Sequence, residues 1–174
     1  MTFAAGIVIR DQAEGDFASI HAVVEAAFKT AAHTCGREQF ILDALWRTGA
    51  ATVALVAEET GAIIGQTAFS KVLVGGKNVG WHGCGPVSVL PGRQKQGIGS
   101  TLMRAGLERL RALGSKGCVV VGDPNYYRRF GFAGTSLMVA PGVGSEYFMA
   151  QSFGEAMPRG PVAFDPAFTA AMKE

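Results

Sequence analysis

The fold is decided by the stretch VSVLPGRQKQGIGSTL, which covers residues 87–102. Valines alternate with polar residues at its start, as in a strand, and Pro91 ends strand pairing because it has no N–H group. A polar loop follows, and then Gly97 and Gly99 open an amphipathic helix. The first turn of a helix leaves its N–H groups without helical partners, and glycine lets a bulky group approach them closely. The stretch therefore predicts a phosphate or pyrophosphate site on the amides from Gln94 to Gly99.

Two common phosphate loops do not match this stretch. A Walker A loop ends in Gly-Lys-Ser/Thr, which is not found here. A dinucleotide fingerprint of the form G-x-G-x-x-G requires glycine at position 102, where this chain has Leu102. The remaining pattern is Gln94-x-x-Gly97-x-Gly99 after a strand. On these residues alone, a phosphate loop and an ordinary glycine-containing turn stay equally open.

Composition predicts one folded domain over residues 1–174, because 48% of the residues are hydrophobic and only 17% are charged. The sequence contains no apolar segment of membrane-spanning length and no secretory leader, so we expect a cytoplasmic protein without a membrane partner. The cysteines are odd in number and irregularly spaced, and the histidines are equally scattered, so we expect neither a disulfide framework nor a metal. These residues are Cys35, Cys84, Cys118, His21, His33 and His82.

Positive charge is concentrated around the proposed phosphate loop. The chain has a net charge of +2, but the segment from Arg93 to Lys116 carries +5 and the remainder −3. A basic segment of this size suits a small polyanion. It lacks the interleaved aromatic residues of a nucleic-acid surface, so we expect no nucleic-acid partner.

The order of the elements predicts a mixed α/β sheet of the α+β kind. We expect strands at Gly6 to Arg10, Thr52 to Glu58, Ala62 to Val74, Val79 to Val89 and Cys118 to Gly122, with weaker candidates at Leu137 to Ala140 and Tyr147 to Ala150. We expect helices after Asp16, from Arg37 to Arg47, from Gly97 to Leu113 and from Pro124 to Gly131, and a C-terminal tail that packs back onto the sheet. The meander predicts six or seven mostly antiparallel strands, and the crossover to Val119 predicts one parallel pair. Because glycine and Pro86 interrupt the strand up to Val89, this pair should be splayed.

A second motif, DPNYYRRFGF at residues 123–132, follows the predicted crossover strand. It contains Tyr127, Gly131 and Phe132 in the arrangement Tyr-x-x-x-Gly-Phe. The two motifs in this order resemble those of the GNAT N-acetyltransferase superfamily, and their residues are most similar to those of its YhbS-like branch. The resemblance implies a GNAT-like fold with helices on both faces of the sheet. It covers the chain in element order, but specific residues only between Gly85 and Phe132.

The resemblance also implies acetyl-CoA as acetyl donor and direct attack by a primary amine in a ternary complex. It places the pyrophosphate on the loop, the pantetheine arm on the backbone of Val87 and Val89, and Tyr127 as the proton donor to the leaving sulfur. The Val89 N–H group would also polarise the acetyl carbonyl. The implied cofactor-binding residues are Val87, Val89, Gln94, Lys95, Gln96, Gly97, Ile98, Gly99, Ser100 and Asn125.

The sequence identifies no single base for the acceptor amine. Glu38 and His82 are candidates, a water chain is a third, and each side chain also has a structural interpretation, Glu38 at the first turn of a helix. Cys84 is disfavoured as a nucleophile because no nearby basic group lowers its pKa. Two other functions stay open: a non-catalytic acyl-CoA-binding or regulatory module, and an enzyme that binds a nucleotide phosphate. The acceptor and the oligomeric state, including a homodimer, are equally open.

Overall fold

The computed structural model describes residues 6–32 and 36–170, and its helices and strands follow the predicted order. The candidates Cys35 and His33 lie outside the described residues. The strands are β1 Ile7–Asp11, β2 Ala51–Glu59, β3 Ala62–Lys71, β4 Leu73–Val74, β5 Trp81–Cys84, β6 Ser88–Val89, β7 Gly117–Val121, β8 Met138–Val139, β9 Phe148–Ser152 and β10 Gly160–Ala163. The helices are α1 Phe17–Phe28, α2 Glu38–Thr48, α3 Ile98–Ala112, α4 Pro124–Tyr127 and α5 Pro166–Ala170.

Within the described part of the chain, seven strands form the main sheet in the order β1-β2-β3-β5-β7-β9, and β6 also pairs with β3. Neighbours are antiparallel except for β5 and β7, which are parallel, as the crossover through α3 requires. The predicted mixed, mostly antiparallel sheet with one parallel pair at its centre is therefore confirmed.

The parallel pair opens along its length. Trp81 lies opposite Gly117 and Gly83 opposite Val119, and the pairing ends there. The chain then parts from β7 but stays beside β3, which pairs with β5 and also with β6, where Val89 lies opposite Gly65. One predicted strand from Val79 to Val89 is thus two short strands, because the segment from residue 85 to residue 87 interrupts the ladder. We call the space between β6 and the end of β7 the gap.

A buried glutamine holds the interruption in place. The Gln66 amide donates to the Pro86 carbonyl at 2.8 Å and to Ser88 Oγ at 3.1 Å, and Gln66 is only 2% exposed. Sequence reasoning missed this residue, although a lone glutamine within a strand of apolar residues is a visible signal. A buried carbonyl without a donor is costly, so Gln66 stabilises a segment that has lost part of its ladder.

Helices cover both faces of the sheet, as the resemblance implied. Leu55 packs in the cluster that contains α3, whereas Val56, its neighbour in β2, packs in the cluster of α1 and α2. Consecutive strand residues point to opposite faces, so these clusters lie on opposite sides. α3 approaches β3 closely, because a Cβ atom on Gly106 would overlap the ring of Phe69. The face with α3 and the face with α1 both border the gap.

The C-terminal part packs back onto the sheet, as predicted. β10 pairs with β4 and β8 in a second, three-stranded sheet of the described residues. Phe164, which follows β10, fills the space at Gly83, where a Cβ atom would lie 2.7 Å from its ring. Phe168 stacks on Phe164 at 5.3 Å between ring centroids and approaches Gly85. The face of β5 opposite α3 is therefore closed by two aromatic rings.

Asp16 precedes α1 as predicted, but its side chain does not bond to the helix amides. It accepts from Arg10 Nη1 at 2.6 Å and from the Ala13 N–H group at 2.7 Å instead. The Arg10 hydrogen bond lowers the Asp16 pKa below its usual range. Asp16 is therefore not a side-chain cap of α1, because a guanidinium from β1 competes for the carboxylate. Among the described residues, no helix is both long and apolar enough to cross a membrane.

Candidate active site

The predicted phosphate loop connects β6 to α3 with two residues in the left-handed region. Lys95 has φ +61° and Gly97 has φ +83°, and the latter lies directly before the first helical residue, Ile98. The Gly97 carbonyl accepts from the Thr101 N–H group at 3.1 Å and from Thr101 Oγ1 at 3.0 Å. Successive residues of alternating backbone hand form a concave array of N–H groups that suits an anion.

Six consecutive backbone amides, those of residues 95–100, donate to no protein acceptor in the part of the chain that the structure describes. The loop residues up to Gly97 are accessible, so these amides face solvent or a ligand. They lie at the N-terminus of a 15-residue helix, where the helix dipole adds positive potential. The loop therefore supplies backbone hydrogen-bond donors and a positive potential for a pyrophosphate, and it needs no side chain to do so.

The side-chain charge at the loop is smaller than the sequence suggested. Arg93 binds Glu59 through two hydrogen bonds of 2.7 Å each, which neutralises the first cation of the basic segment. Arg109 pairs likewise with Asp11, and Lys116 with Glu155. Within the described residues Lys95 has no ion pair, and it is the cation that remains on the loop itself.

The gap exposes the backbone edge of β6. The Leu90 N–H group donates to the Ile64 carbonyl at 2.9 Å, and Ser88 lies opposite Gln66. Backbone groups alternate between the two edges of an antiparallel strand, so those of Val87 and Val89 point away from β3 and into the gap. The Val89 carbonyl accepts from Gln94 Nε2 at 3.1 Å, which leaves the Val89 N–H group directed at the gap.

Tyr127 lies at the open end of the same gap. Its ring packs against Gly122, directly after β7, where a Cβ atom would lie 2.5 Å from Cε2 of the ring. Burial raises the pKa of Tyr127 well above its ordinary value, with a smaller contribution from the Cys84 thiol. The hydroxyl therefore stays protonated at neutral pH and can donate a hydrogen bond. Gly122 was not identified from the sequence, although a glycine between a buried strand and Asp123-Pro124 was a usable signal.

Tyr126 points to the phosphate loop. A Cβ atom on Gly99 would lie 2.9 Å from the Tyr126 hydroxyl oxygen. Burial raises the Tyr126 pKa, and the nearby Ser100 side chain partly offsets that rise. The two tyrosine rings meet edge to face at 5.0 Å between centroids. Neighbouring tyrosines thus serve different parts of the site.

Asn125 begins α4 next to these rings. Its N–H group donates to Asp123 Oδ1 at 2.9 Å, so the Asp123 side chain caps this short helix. Asn125 is exposed and directly precedes Tyr126, whose hydroxyl lies at the loop. The structure thus brings the predicted cofactor-binding residues and Tyr127 to one end of the central pair.

The two candidate bases lie elsewhere. His82 lies on the paired half of β5, where its Nδ1 atom is 2.7 Å from Ser115 Oγ, and burial lowers its pKa. It therefore lies on the paired part of the strand that we expected to be splayed. Glu38 is buried in the first turn of α2, on the face of the sheet opposite Tyr127. Neither residue contacts the loop or Tyr127 in any hydrogen bond of the described residues.

The cysteines of the sheet are buried beneath α3. Cys84 lies 3.6 Å from Met103 Sδ, and burial raises its pKa to about 12. Burial also raises the Cys118 pKa well above its ordinary value. A thiol in this state is a poor nucleophile, which agrees with the low weight that the sequence gave to Cys84. Among the described residues, no group of His, Cys, Asp or Glu side chains is arranged to hold a metal ion.

Comparisons with known proteins agree on one family. The sequence profile described as "Acetyltransferase (GNAT) domain" matches residues 8–134, a span that contains both motifs. The uncharacterized N-acetyltransferase YhbS of Escherichia coli K12 is 34% identical over 127 residues, which cover 72% of this chain and 73% of that protein.

Two solved structures extend the likeness to almost the whole chain. A GNAT family acetyltransferase from Brucella melitensis, in complex with acetyl-CoA, has 48% identity and a TM-score of 0.84, covering 93% of this chain and 97% of the other. The YhbS structure from Escherichia coli, in complex with CoA, has 28% identity and a TM-score of 0.85, covering 97% of this chain and 95% of the other. Both similar proteins were thus solved with the cofactor or its product form.

Proposed function

The chain belongs to the GNAT acetyltransferase family, and from that premise we propose that it transfers the acetyl group of acetyl-CoA to a primary amine by direct attack in a ternary complex. The observation that carries the proposal is the run of six unpartnered amides at the start of α3, next to a gap that exposes a strand edge. A pyrophosphate with a long polar arm fits this combination, whereas a compact phosphate would use only the loop.

Acetyl-CoA binds with its pyrophosphate on the amides of residues 95–100 and its pantetheine arm in the gap. The amide groups of that arm pair with the backbone of Val87 and with the Val89 N–H group, as an additional strand would. The Val89 N–H group polarises the acetyl carbonyl when the thioester reaches it. Asn125 lies at the same end of the gap and contacts the arm from the side of α4.

In the reaction the amine nitrogen attacks the acetyl carbon, a C–N bond forms and the C–S bond breaks. The sulfur leaves as a thiolate, and Tyr127 donates a hydrogen bond to it. An ordinary phenol titrates near pH ~10 and an ordinary thiol near ~8.5, and burial raises the Tyr127 pKa further. Stabilisation of the thiolate by hydrogen bonding is therefore favoured over prior transfer of the proton.

The attacking amine must lose one proton to the enzyme or to solvent. Water in the open gap and Glu38 at the start of α2 are the two acceptors that we propose to test. His82 is less suitable, because its Nδ1 atom is 2.7 Å from Ser115 Oγ and the residue lies at the paired end of β5. If Glu38 takes the proton, Glu38→Gln lowers kcat most at low pH, where free amine is scarce.

Turnover is tested by mixing the protein and acetyl-CoA with a panel of amino acids, polyamines, aminoglycosides and peptides. Release of free CoA thiol and the acetylated product, identified by mass, support the proposal. We expect Tyr127→Phe to lower the single-turnover rate by about 10²–10⁴-fold with little change in CoA affinity. Tyr147→Phe is the matched control, because it removes a hydroxyl from an exposed tyrosine to which the proposed mechanism gives no role. Tight CoA binding without any product over the whole panel contradicts the proposal and favours a regulatory module.

A further inference from the structure

Two arginines beside the phosphate loop have no acidic partner in the described residues. Arg104 lies one helical turn after Ser100 on α3, and Arg129 follows α4. Each packs over an aromatic ring, Arg104 over Phe130 at 5.3 Å and Arg129 over Tyr126 at 4.6 Å from guanidinium carbon to centroid. Both residues are exposed. We refer to Arg104, Arg129 and the Tyr126 ring between them as the arginine platform.

The platform adjoins the unpartnered amides. The Tyr126 hydroxyl lies against Gly99 and Ser100, and the charges of Arg129 and Arg104 both act on its pKa, in the lowering direction. Arg129 Nε donates to the Tyr126 carbonyl at 2.9 Å, which fixes the side chain and leaves its two Nη groups for a ligand. The positive groups therefore continue the anion site from the helix N-terminus across one tyrosine ring.

The platform is distinguished by its position beside the loop and not by isolation alone, since Arg111 also stacks on an aromatic ring and forms no ion pair in the described residues. Other arginines of the chain are neutralised by carboxylates. Arg10, Arg93 and Arg109 each bind a carboxylate through two or more hydrogen bonds. The acids nearest to the platform in sequence do not perform this role, since Glu108 forms no ion pair in the described residues and Asp123 caps α4. Two preorganised guanidinium groups without a counter-charge suit a doubly charged phosphate, which arginine binds in bidentate fashion.

We propose that the arginine platform binds the ribose 3′-phosphate of CoA, with Arg129 as the principal contact and Arg104 as the second cation. This inference rests on the proposed function, because it requires the pyrophosphate on the amides of residues 95–100. From that position the adenosine end can leave the helix either toward the platform or toward Lys95. The platform offers two cations and an aromatic surface, whereas Lys95 offers one flexible cation, so the platform is the better match.

The test compares CoA with 3′-dephospho-CoA by calorimetry at low and high salt. The wild-type protein should bind CoA about 10- to 100-fold more tightly than 3′-dephospho-CoA, and high salt should reduce this affinity ratio. Arg129→Gln should weaken CoA binding but change the affinity for 3′-dephospho-CoA by no more than about twofold, so most of the difference between the two ligands is lost. Arg104→Gln should reduce this difference in part. Arg129→Lys should restore only part, because lysine lacks the planar fork.

Arg128→Gln is the matched control, since it removes the same charge one residue away and should keep the ratio. If Arg128→Gln or Lys95→Gln abolishes the ratio while Arg129→Gln retains it, the assignment to the platform is overturned. Equal wild-type affinities for the two ligands overturn the inference but leave the proposed function intact. Absence of CoA binding altogether refutes the proposed function itself. Circular dichroism of each variant excludes loss of the fold as the cause.

Discussion

An alanine at position 122 displaces the Tyr127 ring without changing its hydroxyl. The new Cβ atom would lie 2.5 Å from Cε2 and 3.2 Å from Cδ2 of that ring, whereas carbon atoms in contact are about 3.5–4.0 Å apart. The ring must therefore move by about 1 Å. The backbone φ of Gly122 is not in the left-handed region, so the substitution acts through this contact and not through backbone strain.

A displacement of this size removes the hydroxyl from hydrogen-bond range of the leaving sulfur. We expect a single-turnover rate about 10²-fold below wild type for Gly122→Ala, because misplacement by 1 Å can cost that much. The CoA dissociation constant should change by less than about threefold, since the loop amides are untouched. The assay is a rapid-quench measurement of acetylated product with protein in excess over acetyl-CoA.

Gly134→Ala is the control, because a Cβ atom there meets no atom within 4 Å. The combined variant Gly122→Ala, Tyr127→Phe adds a second check. If both substitutions remove one hydrogen bond, the double variant loses no more rate than Tyr127→Phe alone. A wild-type rate for Gly122→Ala, or losses that multiply in the double variant, would refute the role of this hydroxyl.

Three further substitutions test the loop, the gap and the N-terminal edge. Gly97→Val forces a β-branched residue into φ +83°, so we expect at least tenfold weaker CoA binding by calorimetry, and full affinity would contradict the site. Gln66→Leu leaves the Pro86 carbonyl without its donor, so urea unfolding should show a loss of about 1–3 kcal/mol. The Arg10 hydrogen bond lowers the Asp16 pKa in the folded protein. The pair therefore stabilises the fold fully above the unfolded pKa of 3.8, and this stabilisation is lost as the pH falls through the lower pKa of the folded state. Asp16→Asn should therefore flatten the fall in stability on acidification, and an unchanged slope would rule this linkage out.

The sequence was most informative where local rules decide the structure. Glycines 97 and 99 after Pro91 fixed the strand, loop and helix, because a helix start leaves free amides whatever surrounds it. Gly49 ends α2 in the left-handed conformation, which is the usual role of a glycine at the C-terminal end of a helix. The crossover through α3 determined the parallel pair, since chain direction and handedness leave few alternatives.

Contacts between distant residues were beyond these rules. The Arg93 pair with Glu59 spans 34 positions, so a count of charge along the segment overestimated the field at the loop. The hydrogen bonds of Gln66 to Pro86 and Ser88 depend on the register of two strands, which a local sequence pattern does not predict. The direction of Tyr126 depends on the packing of α4 against α3. Helix phase alone places its side chain about 100° around the helix axis from that of Tyr127 and does not say what it contacts.

The ring of Phe164 in the space at Gly83 has a consequence for folding during protein synthesis. The two residues are 81 positions apart, and at about 5–20 residues per second the ribosome needs roughly 4–16 s to travel from one to the other. During that interval β5 is complete, but the side of it that Phe164 covers is open. A nascent chain at this stage leaves exposed the apolar surface at Val72 and Gly83 that Phe164 covers in the folded protein, and exposed apolar surface of this kind favours aggregation.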